Sequence, residues 1–283
     1  NTHPWGNTGS SWGGHRDGDY DFELPAFTAI LWLYGDDPDR LYPEARRHLL
    51  ENLLIEEGPN PRATVPNSLG LVVETENHIL MTEGSRYLKN RWLMLHGEQS
   101  FQYDNEKNGL TKWLLNYLDG LHAMGLYEFN SNPYCGFTLT ALMNLQAFGC
   151  PKVSKSAQDL LDKLNWQYAL GSLSFRYFPP FRRSFGSAGV TDLSGDGHTA
   201  LAKVWMSMKP GTGELLISKG LVMQHALFAA ILPYRLPDRT AQLMLKKTED
   251  YFICMGHGPN ASPEIYCGGP DYLLSSGGVF RSK

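Results

Sequence analysis

The sequence lacks an uninterrupted apolar run long enough to cross a membrane. A spanning helix needs about 20 predominantly apolar residues, and the longest candidate, Leu221 to Leu232, is broken by Gln224 and His225. The chain also lacks excess positive charge, because 25 lysine and arginine residues stand against 29 aspartate and glutamate residues. Nucleic-acid binding depends on a basic surface that neutralises phosphates. We therefore expect neither a membrane span nor a nucleic-acid partner.

Cysteine is scarce as well, with four residues in a chain of 283. They form no CxxC pair and no zinc-knuckle spacing, so buried free thiols are the expectation. A disulfide between Cys254 and Cys267 is the alternative in an oxidising compartment. We expect no metal and no cofactor. The start at Asn1 rather than Met is compatible with a removed signal peptide, and a secreted or periplasmic location is the expectation.

What the sequence does contain is 42% hydrophobic and 12% aromatic residues, enough for one large core or two modest ones. Residues 1–21 have no apolar period and predict an irregular N-terminal arm, in which Trp12 is a candidate for stacking on a sugar face. Residues 22–248 carry apolar residues at helical spacing between Gly- and Pro-rich turns, and predict successive helical hairpins. Residues 249–283 contain short β-prone runs and predict the start of a β-rich element.

Two polar patches stand at predicted helix starts. The first, Val73 to Met81, places Asn77 beside His78 just before an apolar run at helical spacing. The second, Tyr127 to Tyr134, contains Asn130 and places Tyr134 after a break formed by Asn, Ser and Pro. Two helix starts therefore present Asn, His and Tyr side chains.

A long segment from Gly171 to Gly197 loses the helical period, and three arginines, Arg176, Arg182 and Arg183, lie in it among Tyr, Phe and Pro. Long loops inside a compact domain are usually functional or disordered, and the aromatic content favours function. His198 follows a Gly-rich turn. It is either a second acid/base or sugar contact, or part of a helix start capped by Asp196.

Together these residues resemble the polysaccharide lyases with an α/α toroid, the alginate lyase and heparinase II/III-like group. The resemblance is carried by the Asn77-His78 pair, by Tyr134 in an Asn-Ser-x-x-Tyr-like segment, by the interval 134 − 78 = 56 residues and by the order of helical hairpins. It covers Phe22 to Leu245 and implies an incomplete α/α toroid followed by a small β element. The stretches 262–266 and 274–278 resemble the first strands of the β-sandwich that follows the toroid in that group, whose remainder is absent here.

The resemblance also implies a reaction, β-elimination of a uronic-acid-containing glycan. Removing the C5 proton next to a carboxylate builds charge on that carboxylate, and one positioned donor such as Asn77 or His78 lowers the barrier by about 3 kcal/mol. Tyr134 is the expected base and acid, and its ordinary pKa of about 10 calls for a nearby cation. The expected substrate-binding residues are Arg176, Arg182, Arg183, Glu76, Glu128, Asn130, His198 and Trp12.

Two other functions fit the same segments. Glu74, Glu76 and Glu128 supply carboxylates for a glycoside hydrolase, which needs two carboxyl groups about 5 to 9.5 Å apart. The third alternative is a non-catalytic glycan-binding protein, which would keep the aromatic residues without needing the Asn, His and Tyr set. Taken singly, Asn77 is by default a helix cap, His78 is a cap or a satisfied core donor, and Tyr134 is a helix-packing tyrosine.

Overall fold

A computed structural model describes residues 4–10, 18–132, 134–182, 196–212, 222–256 and 263–277 of the chain. These residues are mainly helical and end in a small antiparallel sheet, which confirms this part of the predicted fold class. The helices are α1 (Leu24–Tyr34), α2 (Pro43–His48), α3 (Glu76–Leu95), α4 (Leu110–Met124), α5 (Tyr134–Phe148), α6 (Pro151–Gly171), α7 (Gly197–Ser207), α8 (Val222–Ile231) and α9 (Asp238–Leu245). Among the helices described, none combines the length and apolar character that a membrane span requires.

The chain divides into two compact units. The first comprises Asn1–Tyr117 and Asn144–Ser156, and the second comprises Leu118–Met143 and Ala157–Lys283. In the first unit, a short 3-10 turn at Tyr20–Glu23 leads into α1, and both pack against α3. The buried cluster there consists of Tyr20, Leu24, Leu31, Leu49, Leu53, Leu54 and Trp92.

The C-terminal sheet belongs to the second unit. Its strands β3 (Tyr251–Met255), β4 (Glu264–Gly268) and β5 (Leu273–Gly277) pair in sequence order, each antiparallel to the next. A small sheet becomes stable when it has three or more strands with a hydrophobic face, or when it packs against a helix. Its buried side chains pack with Phe129 and with Leu170 near the end of α6. The strands therefore share a core with helical residues of the same unit.

Two predicted segments differ from the structure. Residues 39–56, part of the stretch predicted to form helical hairpins, do not form one continuous α-helix, because α2 begins at Pro43, ends at His48 and continues as a π-helical turn at Leu49–Leu53. The segment predicted as irregular after Gly171 begins with a small hairpin, β1 (Ser172–Leu173) paired with β2 (Arg176–Tyr177). Such two-residue strands are too short to leave an alternating pattern in the sequence.

All four cysteines are free thiols, so the disulfide alternative for Cys254 and Cys267 is not realised. The register of β3 and β4 explains this, because Cys254 lies opposite Ile265 and Cys267 lies opposite Phe252. Cysteines at non-opposed positions of an antiparallel pair do not have the close Cβ approach that a disulfide requires.

Candidate functional site

Asn77 and His78 lie in the first turn of α3, as predicted. The helix is preceded by Thr75 in extended backbone (φ −84°, ψ 158°), so Thr75 rather than Asn77 occupies the cap position. The Thr75 hydroxyl donates a hydrogen bond of 2.5 Å to the Asn77 Oδ1 atom. Asn77 is fully buried, and its Nδ2 group has no acceptor among the described residues. The asparagine therefore holds an amide donor in the protein interior without using it.

A buried aspartate holds the His78 ring. The His78 Nδ1 atom lies 2.6 Å from Oδ2 of Asp21, and the two side chains are 5% and 0% exposed. The ring of Phe22 packs edge-on against the imidazole, with 5.3 Å between ring centroids. Since Nδ1 is taken by the carboxylate, Nε2 is the ring nitrogen left for a ligand. The pair fixes both the orientation of the ring and the chemistry of its second nitrogen.

The protonation of this pair follows from burial and charge. Burial lowers the pKa of His78, but the hydrogen bond to Asp21 and the charges of Asp21, Glu74 and Asp19 raise it by more, so the net pKa is raised. Burial also raises the pKa of Asp21, against the lowering effect of His78. The two groups therefore compete for a proton in a dry environment. A raised pKa favours a protonated imidazole, the form that binds a carboxylate best.

The described part of the N-terminal arm is fastened beside this pair. The Glu74 carboxylate accepts hydrogen bonds from the Ser10 backbone (2.9 Å), the Ser10 hydroxyl (2.6 Å) and the Thr75 backbone (3.0 Å). The Thr8 hydroxyl donates to Glu56 at 2.6 Å. The arm was predicted only as irregular, and these bonds give it a defined place. A small cavity under it is lined by Thr8, Gly9, Arg62, Thr64, Glu74, His78, Ile79 and Thr82.

Glu76, the other acidic residue of the first patch, is also buried, at 3% exposure. Its charge adds to burial, and to the charge of Glu74, in raising the pKa of Tyr117 well above its ordinary value. The first patch therefore contains two carboxylates, and Glu74 is saturated by donors from the arm and from Thr75.

The second patch lies in the second unit. Tyr134 is the first residue of α5 and is half-buried, which confirms that it stands at a helix start. The turn before it is closed by a hydrogen bond of 2.9 Å from the Cys135 N–H to the Ser131 carbonyl. Glu128, in the same patch, is buried at 3% exposure.

The arginine-bearing segment is attached to this patch. Asn130, in left-handed backbone (φ 53°), donates hydrogen bonds to the carbonyls of Phe178 (2.8 Å) and Pro180 (3.0 Å). The Arg182 backbone N–H donates to the Phe129 carbonyl at 3.3 Å. Asn130 thus acts on the protein backbone rather than standing open to a ligand. The structure brings the second patch and residues 178–182 together.

The two described arginines of this segment have different surroundings. The Arg182 guanidinium forms an ion pair with Glu264, whose side chain is fully buried. Arg176 lies on β2 and is exposed. Arg176 therefore has the accessibility that contact with a polymeric substrate requires. Arg183 and Trp12, also expected at the site, lie outside the described residues.

His198 stands in the first turn of α7 with both ring nitrogens engaged. Asp196 caps this helix by accepting from the Thr199 N–H at 3.0 Å, as in the capping alternative considered for this segment. The His198 Nδ1 atom lies 3.5 Å from the Cys135 Sγ atom, and Nε2 lies 3.1 Å from Oδ1 of Asn165. Burial lowers the pKa of His198 to about 3. A neutral, fully partnered imidazole suits a structural role better than acid/base chemistry.

Asn165 determines which nitrogen of His198 carries the proton. Its Nδ2 group donates to the Leu161 carbonyl (2.9 Å) and the Tyr234 hydroxyl (3.2 Å), so its Oδ1 atom faces the imidazole as an acceptor. The His198 Nε2 atom is therefore the donor, and Nδ1 accepts from the Cys135 thiol. This polar network joins three helices, α5, α6 and α7, to Tyr234 within one unit, and both ring nitrogens of His198 are satisfied.

Asp21 is the main residue that sequence reasoning missed. It lies 57 residues from His78, and no local pattern links two positions so far apart. The only hint of Asp21 in the sequence is the acid-rich stretch in which it stands, Asp17-Gly18-Asp19-Tyr20-Asp21. Glu264, the partner of Arg182, was missed for the same reason, since 82 residues separate them.

The first unit thus holds Asn77, His78 and Glu76, and the second holds Tyr134, Asn130, Arg176, Arg182, Glu128 and His198. Scans against protein-family models, curated proteins and solved structures gave no match for this chain.

Proposed function

We propose that the protein is a polysaccharide lyase that cleaves a uronic-acid-containing glycan by β-elimination, on an incomplete α/α toroid. The observation that carries the proposal is the start of α3. A buried amide without an acceptor, Asn77, stands next to an imidazole, His78, whose Nδ1 atom is held by a buried carboxylate at 2.6 Å. An unpaired buried donor costs about 1–3 kcal/mol. A bound carboxylate is a ligand that would satisfy it.

The roles follow from the charge that develops during elimination. Asn77 Nδ2 and the His78 Nε2 side are assigned to the substrate carboxylate, where the second negative charge appears once the C5 proton leaves. Tyr134 is assigned as the base that takes this proton and then returns it to the leaving oxygen as the C4–O bond breaks. Asp21 positions His78 and supports its protonated form. The electron pair of the C5–H bond becomes the new C4–C5 double bond.

Arg176 is assigned to the acidic substrate and to lowering the barrier for deprotonating Tyr134, because it is exposed and charged. Arg182 takes a different part in this proposal. Through Glu264 and the Phe129 carbonyl it fixes the segment that carries it. Substituting Arg176 should therefore act on KM, and substituting Arg182 should act first on stability.

The test is the ultraviolet absorbance of the products. Elimination leaves a double bond conjugated with the carboxylate, whereas hydrolysis releases only new reducing ends. Alginate, glucuronan, hyaluronan and heparan-type chains are incubated with the protein, and absorbance and reducing ends are measured in parallel. We expect absorbance with at least one substrate. Reducing ends without absorbance would identify a hydrolase instead, with Glu76 and Glu128 as the next residues to substitute.

Single and double substitutions test which residues carry out the reaction. Tyr134→Phe should abolish the absorbance signal while the circular dichroism spectrum is retained, and Tyr42→Phe, at an exposed tyrosine of the first unit (67% exposed), should leave the rate unchanged. If His78 and Tyr134 act on one sugar, His78→Gln combined with Tyr134→Phe should cost little more than the larger single change. Strictly additive effects would contradict a shared reaction centre.

A further inference from the structure

We propose that Asp19, Asp21 and His78 form a binding site for a divalent transition-metal ion. The ligand atoms that these three side chains offer all lie within 4.8 Å of one another. The site is on the Nδ1 side of the His78 ring, opposite the nitrogen assigned to substrate. It rests on the geometry of the first unit alone and does not depend on the lyase proposal.

The backbone presents the two aspartates to the imidazole from one short turn. Asp19 immediately precedes the 3-10 turn and has left-handed backbone (φ 71°), with its N–H bonded to the Gly9 carbonyl at 2.8 Å. Asp21 is the second residue of that turn, and His78 comes from the first turn of α3. Both segments pack against each other in the core of the unit. The three donors are therefore held by secondary structure rather than by a free loop.

An independent sign of a missing ligand is the second oxygen of Asp21. The side chain is 0% exposed, and its Oδ1 atom has no hydrogen-bond partner of normal geometry among the described residues. The Gly9 backbone lies close enough to lower the pKa of this carboxyl group. The Asp21 Oδ1 atom is nevertheless left without a hydrogen bond of normal geometry. Buried carboxylate oxygens are normally saturated by donors or by a cation. Asp21 offers Oδ2 to His78 and keeps Oδ1 for another positive partner.

The local charge balance points the same way. Asp19, Asp21 and Glu74 all act electrostatically on His78, so three carboxylates surround a single imidazole. Arg62, which lines the neighbouring cavity, is paired with Glu56 at 3.0 Å. A dication would offset this acidic charge. Where a uronate binds on the far side of His78, the same ion would reduce its repulsion from the acids of the first patch.

The donor set selects the kind of metal. Two carboxylates and one imidazole suit transition-metal ions that accept both oxygen and nitrogen ligands, such as Mn²⁺ and Zn²⁺, whereas Mg²⁺ and Ca²⁺ favour all-oxygen sites. On binding, the metal takes the lone pair of His78 Nδ1 and the shared proton leaves to solvent, so the step conserves charge and atoms. The sequence contains no metal-binding motif for this site, because its ligands are separated by 57 residues.

Calorimetric titration of the full chain with MnCl₂ tests the site directly. The protein is first treated with a chelator and dialysed, and no glycan is present, so the result is independent of any lyase activity. We expect one bound Mn²⁺ per chain and a loss of affinity of about tenfold or more in Asp19→Asn. Asp19 is exposed, so this variant keeps the core intact. Glu23→Gln, at an exposed acid on the same turn, is the matched control and should bind like the wild type.

Each outcome of these measurements bears on either the metal site or the proposed function. Equal Mn²⁺ affinity in Asp19→Asn and the wild type, or no binding in either, overturns the site. Electron paramagnetic resonance of the Mn²⁺ complex supplies a second readout, because an imidazole ligand gives nitrogen modulation that His78→Gln should remove. A protein that binds Mn²⁺ and shows no elimination on any glycan would retain the metal site and lose the proposed function. Elimination without metal binding would support the proposed function and overturn the metal site.

Discussion

Acidification should destabilise the protein through two buried histidines of the second unit, His198 and His225. They are 1% and 2% exposed, and burial lowers their pKa values to about 3 and about 4. An unfolded histidine has a pKa of about 6.5. Because the folded pKa is the lower one, the unfolded chain takes up the proton first as the pH falls. The stabilising contribution is complete above pH 6.5 and is lost progressively below it.

The size of the effect follows from proton linkage. Each buried neutral histidine contributes a slope of about 1.4 kcal/mol per pH unit below its unfolded pKa, which amounts to about 2 kcal/mol at pH 5. Asp196, next to His198, works in the opposite sense, because burial raises its pKa. Tyr168 and Tyr177 also face the ring but stay neutral in this range, because burial raises their pKa values well above the ordinary value. Comparing variants, rather than reading one curve, isolates the histidine contribution.

The assay is urea unfolding followed by circular dichroism and tryptophan fluorescence between pH 7.5 and pH 5. His198→Gln should reduce the pH slope of the unfolding free energy by about 1.4 kcal/mol per unit relative to the wild type. His122→Gln, at an exposed histidine of the same unit, should leave it unchanged. Imidazole proton resonances give a direct check, since the His198 signal should not titrate between pH 7.5 and 5. A titration midpoint near 6.5, or equal slopes in both variants, would refute the reasoning.

Two further predictions concern the second unit. Arg182→Met should lower the free energy of unfolding by about 3–5 kcal/mol, because it leaves the fully buried Glu264 without its ion-pair partner. Adding Glu264→Gln should restore most of this loss, as measured by urea unfolding. An equal loss in the single and the double variant would contradict the prediction. Gly256→Ala should destabilise by more than about 1 kcal/mol, because φ is +114° and the new Cβ would lie 1.6 Å from Glu264 Oε2. Gly120→Ala, in α4 with open space around its Cβ position, should be neutral or stabilising.

Helix starts were the most predictable feature of this fold. Turn-forming residues before Tyr134 and an apolar run after His78 placed both residues within one helical turn of the observed starts of α5 and α3. The reason is that capping and chain breaks act over three or four residues, a range that sequence patterns record. The Asp196 cap on α7 belongs to the same class of local signal.

Tertiary partners were the unpredictable part. Whether His78 is anchored, and whether Arg182 is available, depends on Asp21 and Glu264, which come from distant segments. The π-helical turn after α2 was missed because a π-helix and an α-helix share nearly the same apolar spacing over one turn. Side-chain types therefore indicated a chemistry, while packing decided which of those side chains have structural partners.

The fastening of the N-terminal arm has a consequence for biosynthesis. Ser10 is translated before its partner Glu74, which follows 64 residues later. At about 5–20 residues per second, that gap corresponds to about 3–13 s of translation. Throughout that interval Ser10 lacks the carboxylate that accepts from its hydroxyl and backbone N–H in the folded unit. The bonds that hold Ser10 in place therefore form only after the turn that carries Asp21 and the residues that lead into α3 have been made.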